Sequence, residues 1–195
     1  MLVAGIGNIF LGDDGFGVEV AGRLDGAGLP DWVRVADYGI SGLHLAYDLA
    51  EGYDTAILVD AVPRGGQPGT VYVLEVEPGA GPDGAASDGA ASNGAASNRV
   101  VPSGPVLDGH GMQPDLVLGM VARLGAAPPR RVLVVGCEPA STQEGMGLSE
   151  PAAAAVGRAV DIVLDLVREA AAGRQPSGPG RHNQQRGSDV PGHTG

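Results

Sequence analysis

Two short runs of this sequence, residues 56–59 and 132–135, are continuously apolar. Strands of this kind are covered on both faces, as in a parallel sheet between two layers of helices. Five strand candidates alternate with four helix candidates along the chain. The strand candidates are residues 2–4, 33–36, 56–59, 70–76 and 132–135, and the helix candidates are residues 15–24, 42–51, 114–124 and 150–172. This alternation predicts a three-layer α/β/α fold with a mostly parallel sheet.

The chain length of 195 residues suits one domain with tails. Hydrophobic residues make up 43% of the chain and aromatic residues only 4%, so the core must be packed mainly from Val, Leu, Ile and Ala. A Gly-Ala-Ala-Ser repeat fills residues 79–98, and residues 173–195 are rich in Gly, Pro and Gln. Neither segment has enough apolar area to offset the entropy of ordering. We therefore predict one domain over residues 1–172, with a disordered insertion at about residues 79–98 and a disordered tail over residues 173–195.

The formal net charge of −11 makes nucleic acid and an anionic membrane surface poor partners. A cation or a basic protein is more compatible with this charge. The single cysteine, Cys137, rules out an intrachain disulfide framework. No signal-peptide pattern and no apolar stretch of membrane-spanning length are present, so we expect a cytoplasmic protein.

The glycine-rich run over residues 5–17 resembles a nucleotide-binding loop but departs from it at the decisive positions. A dinucleotide fingerprint requires a third glycine where this chain has Phe10. A phosphate-binding P-loop requires Lys and Ser or Thr after its last glycine, where this chain has Asp13 and Asp14. Two carboxylates would repel phosphate and attract a cation. The run therefore indicates a tight turn that presents acidic side chains.

Acidic residues follow three of the predicted strands: Asp13 and Asp14, Asp60, and Glu138. Ligands bind beyond the carboxyl ends of such strands, so Asp14 and Asp60 would converge if their strands are neighbours. His110, in a glycine-flanked turn, is the candidate third member, because one imidazole and two carboxylates suit a divalent transition metal.

Structural interpretations of the same residues stay open. Asp13 and Asp14 are also typical helix N-caps, and Asp60 and Glu138 are also typical turn residues. Cys137 is expected to be a core thiol. A helix cap is the predicted role of Ser41 and Ser149, and His44 is expected on a helix face.

Four segments, residues 5–17, 58–61, 108–111 and 135–139, resemble in order the motifs of the hydrogenase maturation proteases. These endopeptidases process the large subunit of nickel-iron hydrogenases. Residues 145–149 also resemble the family's lead into its last helix, and the similarity extends over roughly residues 1–170. The resemblance implies a mixed five-stranded sheet of the phosphorylase/hydrolase-like kind, in strand order 2-1-3-5-4, with the fourth strand antiparallel.

The resemblance also implies a function. An aspartic-type endopeptidase would remove the C-terminal extension of the large-subunit precursor after nickel insertion. Asp14, Asp60 and His110 would be the catalytic and metal-binding residues, and they would complete the coordination of nickel carried by the precursor. Some relatives have glutamate where this chain has Asp14. We also expect a monomer with no bound organic cofactor, and no attacking nucleophile is assigned.

Two other functions remain as alternatives. A non-enzymatic nickel-binding or delivery protein would explain the same ligands, although the chain has no His-rich tract. A nucleotide-binding α/β domain would explain the glycine-rich run, although Phe10 and the two aspartates disfavour it.

Overall fold

The computed structural model describes residues 1–76 and 114–173. Its strands are β1 (Leu2–Ile6), β2 (Arg34–Gly39), β3 (Thr55–Ala61), β4 (Val71–Val76) and β5 (Arg131–Cys137). Its helices are α1 (Phe16–Leu24), α2 (Gly42–Ala50), α3 (Pro114–Arg123) and α4 (Glu150–Gly173), and a 3₁₀ turn over Gly12–Gly15 precedes α1. The predicted insertion, His110 and the predicted tail beyond Gly173 lie outside the described residues.

The five strands form one mixed sheet in the order β2-β1-β3-β5-β4. Neighbouring strands are parallel from β2 to β5, and β4 runs antiparallel to β5. The predicted fold class, strand order and antiparallel fourth strand are therefore confirmed. Because β1 and β3 are neighbours, the loops at their carboxyl ends lie next to each other.

Strand β2 continues further than its apolar residues suggest. The sequence predicts a strand over residues 33–36, whereas β2 extends to Gly39, which pairs with Ile6 of β1. This strand lies at the edge of the sheet, and Asp37 is exposed. The apolar run stops at Ala36, whereas backbone pairing with β1 carries the strand through exposed Asp37 and buried Tyr38 to Gly39.

Helices cover both faces of the sheet, which gives the predicted three layers. On one face, α1 and α4 pack against side chains such as Val3, Val59 and Val135. On the other face, α2 and α3 pack against side chains such as Leu58 and Val134. Consecutive residues of β3 and β5 are buried on opposite faces, as their continuous apolar runs predict.

The first turn of α1 lies directly on the carboxyl ends of two strands. A Cβ atom added to Gly17 would come within 2.0 Å of the Val59 carbonyl oxygen and 2.4 Å of the Ile6 carbonyl oxygen. Only glycine permits this approach of helix backbone to strand backbone. Gly17 therefore sets the height at which the preceding 3₁₀ turn lies above β1 and β3.

The two predicted serine caps differ. The Ser149 carbonyl accepts the first hydrogen bond of α4, from the Ala153 N–H at 2.8 Å, and its Oγ lies 3.5 Å from the Ala152 nitrogen. Ser41 occupies the N-cap position of α2, but its side chain makes no cap hydrogen bond. The prediction for Ser41 is therefore correct in position and wrong in mechanism.

Within residues 1–76 and 114–173, no helix combines the length and the apolar character that a membrane crossing requires.

Candidate active site

The glycine-rich run forms a loop and a 3₁₀ turn that hold Asp14 above the sheet. After β1, the Asn8 side chain accepts a hydrogen bond from the Phe10 N–H at 3.0 Å, which closes the first bend. The Asp14 N–H then donates to the Leu11 carbonyl at 3.1 Å. Asp14 is buried, and its Oδ2 accepts the Asn8 N–H at 2.7 Å. The carboxylate is thus oriented by the backbone of its own loop.

The backbone of Gly7 packs closely against the 3₁₀ turn. Its φ of 130° lies in the region that favours glycine, and an added Cβ would come within 1.7 Å of the Asp14 carbonyl oxygen. The Gly7 N–H also donates to the Gly39 carbonyl at 3.0 Å, which ties the loop to the end of β2. Glycine at this position therefore lets two backbone segments lie close together. This packing agrees with the interpretation of the run as a tight turn that presents acidic side chains.

Asp60 lies near the carboxyl end of β3, beside the turn that carries Asp14. Its side chain is buried, and its Oδ1 accepts the N–H of Ala61 at 2.8 Å. Burial, and after it the charge of Asp14, raise the pKa of Asp60 to about 8. The two carboxyl groups are therefore close enough to repel each other when both are ionised, which is the convergence expected from the sequence.

Such a pair is suited to holding a cation. A divalent cation between Asp14 and Asp60 would offset both the mutual repulsion and the cost of burial. The candidate third ligand, His110, lies outside the described residues. Within the described ranges, no group of three or more His, Cys, Asp and Glu side chains could hold a metal ion. The metal-binding role of the three residues stays a prediction.

Asp13 has a different role from its neighbour. Its carboxylate accepts hydrogen bonds from the backbone N–H groups of Ala140, Ser141 and Ser149 and from the Ser149 hydroxyl. Burial opposes ionisation, but these hydrogen bonds prevail and hold the pKa of Asp13 below its ordinary value. Asp13 is therefore a charged anchor between the 3₁₀ turn and a distant segment, and not the N-cap of its own helix.

Glu138 and Cys137 are explained by packing. Glu138 is buried, and its two oxygens accept the backbone N–H groups of Arg64 and Gly65 at 2.8 and 3.0 Å. It therefore braces the loop that follows Asp60. Cys137 is a buried core thiol, as predicted, and burial raises its pKa to about 11, so it is not a thiolate at neutral pH.

Sequence reasoning missed the partners of Asp13 and Asp14. The donors to Asp13 lie 127–136 residues further along the chain, and no local pattern announces them. One donor to Asp14 is the backbone N–H of Asn8, and the identity of the Asn8 side chain indicates only a turn. His44 lies on α2, as predicted, and its side chain is exposed.

Comparison with known proteins agrees with this architecture. A family model described as hydrogenase maturation protease matches residues 18–78. A Methanocaldococcus jannaschii protein, named as a candidate hydrogenase maturation protease, is 32% identical over 174 residues, which cover 87% of this chain and 97% of the relative. The hydrogenase 2 maturation protease of Escherichia coli is 29% identical over 176 residues, with 87% and 91% covered.

A solved structure extends the similarity to three dimensions. The hydrogenase maturating endopeptidase HybD from E. coli superimposes with a TM-score of 0.64 at 29% identity, over 87% of this chain and 92% of that structure. The shared fold, the near-complete coverage and the sequence identity together identify the chain as a member of the hydrogenase maturation protease family, and thus as a peptidase.

Proposed function

We propose that this peptidase removes the C-terminal extension of a nickel-iron hydrogenase large-subunit precursor after nickel has been inserted. Asp14, Asp60 and His110 bind the nickel, which the precursor carries as part of the substrate. The protein acts as a monomer in the cytoplasm. The observation that carries the proposal is the buried pair Asp14 and Asp60 beside the carboxyl ends of two neighbouring strands, where burial, and after it the charge of Asp14, raise the pKa of Asp60.

The charge state of this pair supports recognition of a metal rather than of the peptide alone. In the absence of a cation, burial and Asp14 favour the protonated form of Asp60 near neutral pH. A divalent ion between the two carboxylates favours the ionised form of both, so binding energy depends on the ion. A precursor without nickel offers no ion and therefore loses that energy, which makes nickel a checkpoint for cleavage.

His110 completes the proposed ligand set from outside the described residues. Its place in the proposal rests on the sequence motif over residues 108–111 and on the suitability of imidazole for nickel. When bound, nickel would supply Lewis-acid chemistry, either polarising the scissile carbonyl or activating water. The chain's own carboxylates orient the metal, and no attacking group is assigned.

Space for the precursor lies beside the turn that carries Asp14. A mostly apolar pocket of about 350 Å³, also lined by the ion pair of Glu19 and Arg23, adjoins this turn. Gly12 and Gly15, on either side of the two aspartates, line it, together with the exposed side chains of Ile9 and Met146. Neither Asp14 nor Asp60 lines this pocket, so it would hold a part of the precursor that lies away from the nickel.

The decisive experiment compares two forms of one precursor, loaded with nickel and free of metal. The purified protein should shorten the loaded precursor and leave the metal-free precursor intact, as measured by mass spectrometry of the products. Equal cleavage of both forms would contradict the checkpoint.

Two variants test the ligands, and a third is a control. Asp14→Asn and His110→Ala should each abolish cleavage of the loaded precursor while the thermal unfolding temperature shows that the protein is folded. Asp161→Asn, an identical change at an exposed position of α4, is the matched control and should cleave normally. Full activity of Asp14→Asn or His110→Ala would remove that residue from the site. Stoichiometric nickel binding without any cleavage would favour a delivery protein instead.

A further inference from the structure

The Asp13 carboxylate is saturated by donors from a single segment of the chain. Its Oδ2 accepts the N–H of Ala140 at 2.7 Å, the N–H of Ser141 at 3.2 Å and the hydroxyl of Ser149 at 2.8 Å. Its Oδ1 accepts the N–H of Ser149 at 2.6 Å. Asp13 is only 1% exposed, so water does not compete for these hydrogen bonds. Charge-assisted hydrogen bonds in such a setting are stronger than neutral ones.

Backbone hydrogen bonds reinforce the same connection. The Asp13 N–H donates to the Ser141 carbonyl at 3.0 Å, and the Gly12 N–H donates to the Gly145 carbonyl at 2.8 Å. The Gly145 N–H in turn donates to the Phe10 carbonyl at 2.9 Å. The 3₁₀ turn and the loop before it are therefore fastened to residues 140–149 along their length.

Asp14 follows Asp13 in the same 3₁₀ turn. Its Oδ2 accepts the Asn8 N–H while the turn keeps its place, and a displacement of the turn would break the hydrogen bonds of Asp13. Gly7 blocks displacement in another direction, because its backbone already lies close to the Asp14 carbonyl. The position of the Asp14 carboxylate thus depends on an anchor that does not face the site itself.

We propose that Asp13 is a positioning residue of the peptidase, which anchors the 3₁₀ turn to residues 140–149 and thereby aims Asp14 at the nickel of the precursor. This inference rests on the proposed function. Asp13 affects the reaction only by positioning Asp14, and it does not itself bind the nickel. Displacing an aligned group by about 1 Å can lower a rate by about 100-fold.

A purely structural role makes a different prediction. The Asp13 carboxylate also lies at the N-terminal end of α4, where an anion stabilises a helix. If stability were its whole contribution, a substitution of Asp13 would affect cleavage no more than any substitution that costs equal stability. The comparison therefore needs a variant of matched stability, far from the turn.

The test measures cleavage of nickel-loaded precursor by Asp13→Asn, Ser149→Ala and Val163→Ala, at a temperature where thermal unfolding shows all three to be folded. Asn has the size of Asp but carries an N–H₂ group in place of one accepting oxygen. This group would face the N–H and O–H donors around Asp13 and could not accept their hydrogen bonds. We expect kcat to fall by about 10- to 100-fold with little change in KM. Ser149→Ala removes one hydroxyl donor and should lie between wild type and Asp13→Asn. Val163→Ala shortens a fully buried side chain of α4 and should keep the wild-type kcat.

Each outcome bears on the inference. If Asp13→Asn and Ser149→Ala cleave as well as Val163→Ala, while Asp14→Asn is inactive and wild type discriminates between the precursor forms, the positioning role is wrong and the proposed function stands. If wild type cleaves both precursor forms equally, the nickel role of Asp14 fails and the positioning role fails with it. If Asp13→Asn does not fold, the kcat of Ser149→Ala relative to Val163→Ala decides.

Discussion

Three of the four buried carboxylates beside the carboxyl ends of the strands show how the surroundings of a side chain determine its chemistry. Asp13 stays ionised because four donors surround it. Glu138 is occupied by two backbone N–H groups. Asp60 accepts a hydrogen bond from the N–H of its own neighbour Ala61, but its burial and the nearby charge of Asp14 favour its protonated form. A carboxylate that is costly to ionise in the isolated protein is the one that a cation can stabilise most.

The raised pKa of Asp60 predicts a pH dependence of stability. The carboxyl has an ordinary pKa of 3.8 in the unfolded chain and about 8 in the folded protein. Between these values the unfolded chain has released its proton and the folded protein has not, so stability falls as pH rises from about 4 to 8. Asp60→Asn removes this loss. Its unfolding temperature should exceed that of wild type by several degrees at pH 8 and approach it near pH 4.

Calorimetry of both proteins across this pH range checks the prediction, in metal-free buffer. Asp161→Asn, at an exposed position of α4, is the control and should follow wild type at every pH. A constant difference between Asp60→Asn and wild type would mean that Asp60 titrates alike in the folded and unfolded states.

At the level of elements, the site depends on how closely α1 approaches the sheet. Gly17 brings the first turn of α1 onto the carbonyl oxygens of Ile6 and Val59, at the ends of β1 and β3. The 3₁₀ turn with Asp13 and Asp14 leads directly into this helix. The distance between α1 and the sheet therefore also determines how far Asp14 lies from Asp60.

Gly17→Ala should lower both stability and activity. The added methyl group has no room beside the Val59 carbonyl, so α1 must shift, and the cost should be about 1–3 kcal/mol or more. Gly22→Ala is a matched control on the same helix, because an added Cβ there has no heavy atom within 4 Å. It should stabilise the protein by about 0.5–1 kcal/mol. Urea unfolding and precursor cleavage measure the two effects, and equal behaviour of the variants would refute this packing argument.

At the level of the whole molecule, the strand order brings the two acidic loops together. Asp14 follows β1, and Asp60 is the penultimate residue of β3. These strands are hydrogen-bonded neighbours although a strand and two helices separate them in the chain. Strand β5, on the other side of β3, leads into residues 140–149, which hold Asp13. Three separate parts of the chain therefore build one site at the carboxyl edge of the parallel strands.

The predicted insertion over residues 79–98 should be dispensable for this assembly. Its Gly-Ala-Ala-Ser repeats have too little apolar area to contribute to a core. Deleting residues 79–98 should change the unfolding temperature by no more than a few degrees and leave cleavage of loaded precursor intact. Deleting residues 99–113 instead removes His110 and should abolish cleavage. Loss of cleavage in the first deletion would give the insertion a functional role.

The sequence by itself determined the kinds of element and much of the candidate site. Continuous apolar runs identified β3 and β5, and the order of the motifs indicated the family and with it the strand order. Asp14 and Asp60 were predicted because acids at strand ends converge when the strands are neighbours. These predictions depend on patterns within short segments, which can be recognised without knowledge of the rest of the fold.

Only the tertiary structure decided what each acid does. Asp13 and Asp14 are adjacent and chemically identical, yet one is saturated by donors from residues 140–149 and the other is coupled to Asp60. The close contact at Gly17 and the raised pKa of Asp60 likewise arise between segments far apart in the chain. Burial, hydrogen bonding and charge coupling are properties of groups brought together by packing, so they exist only once the sheet and its helices have assembled.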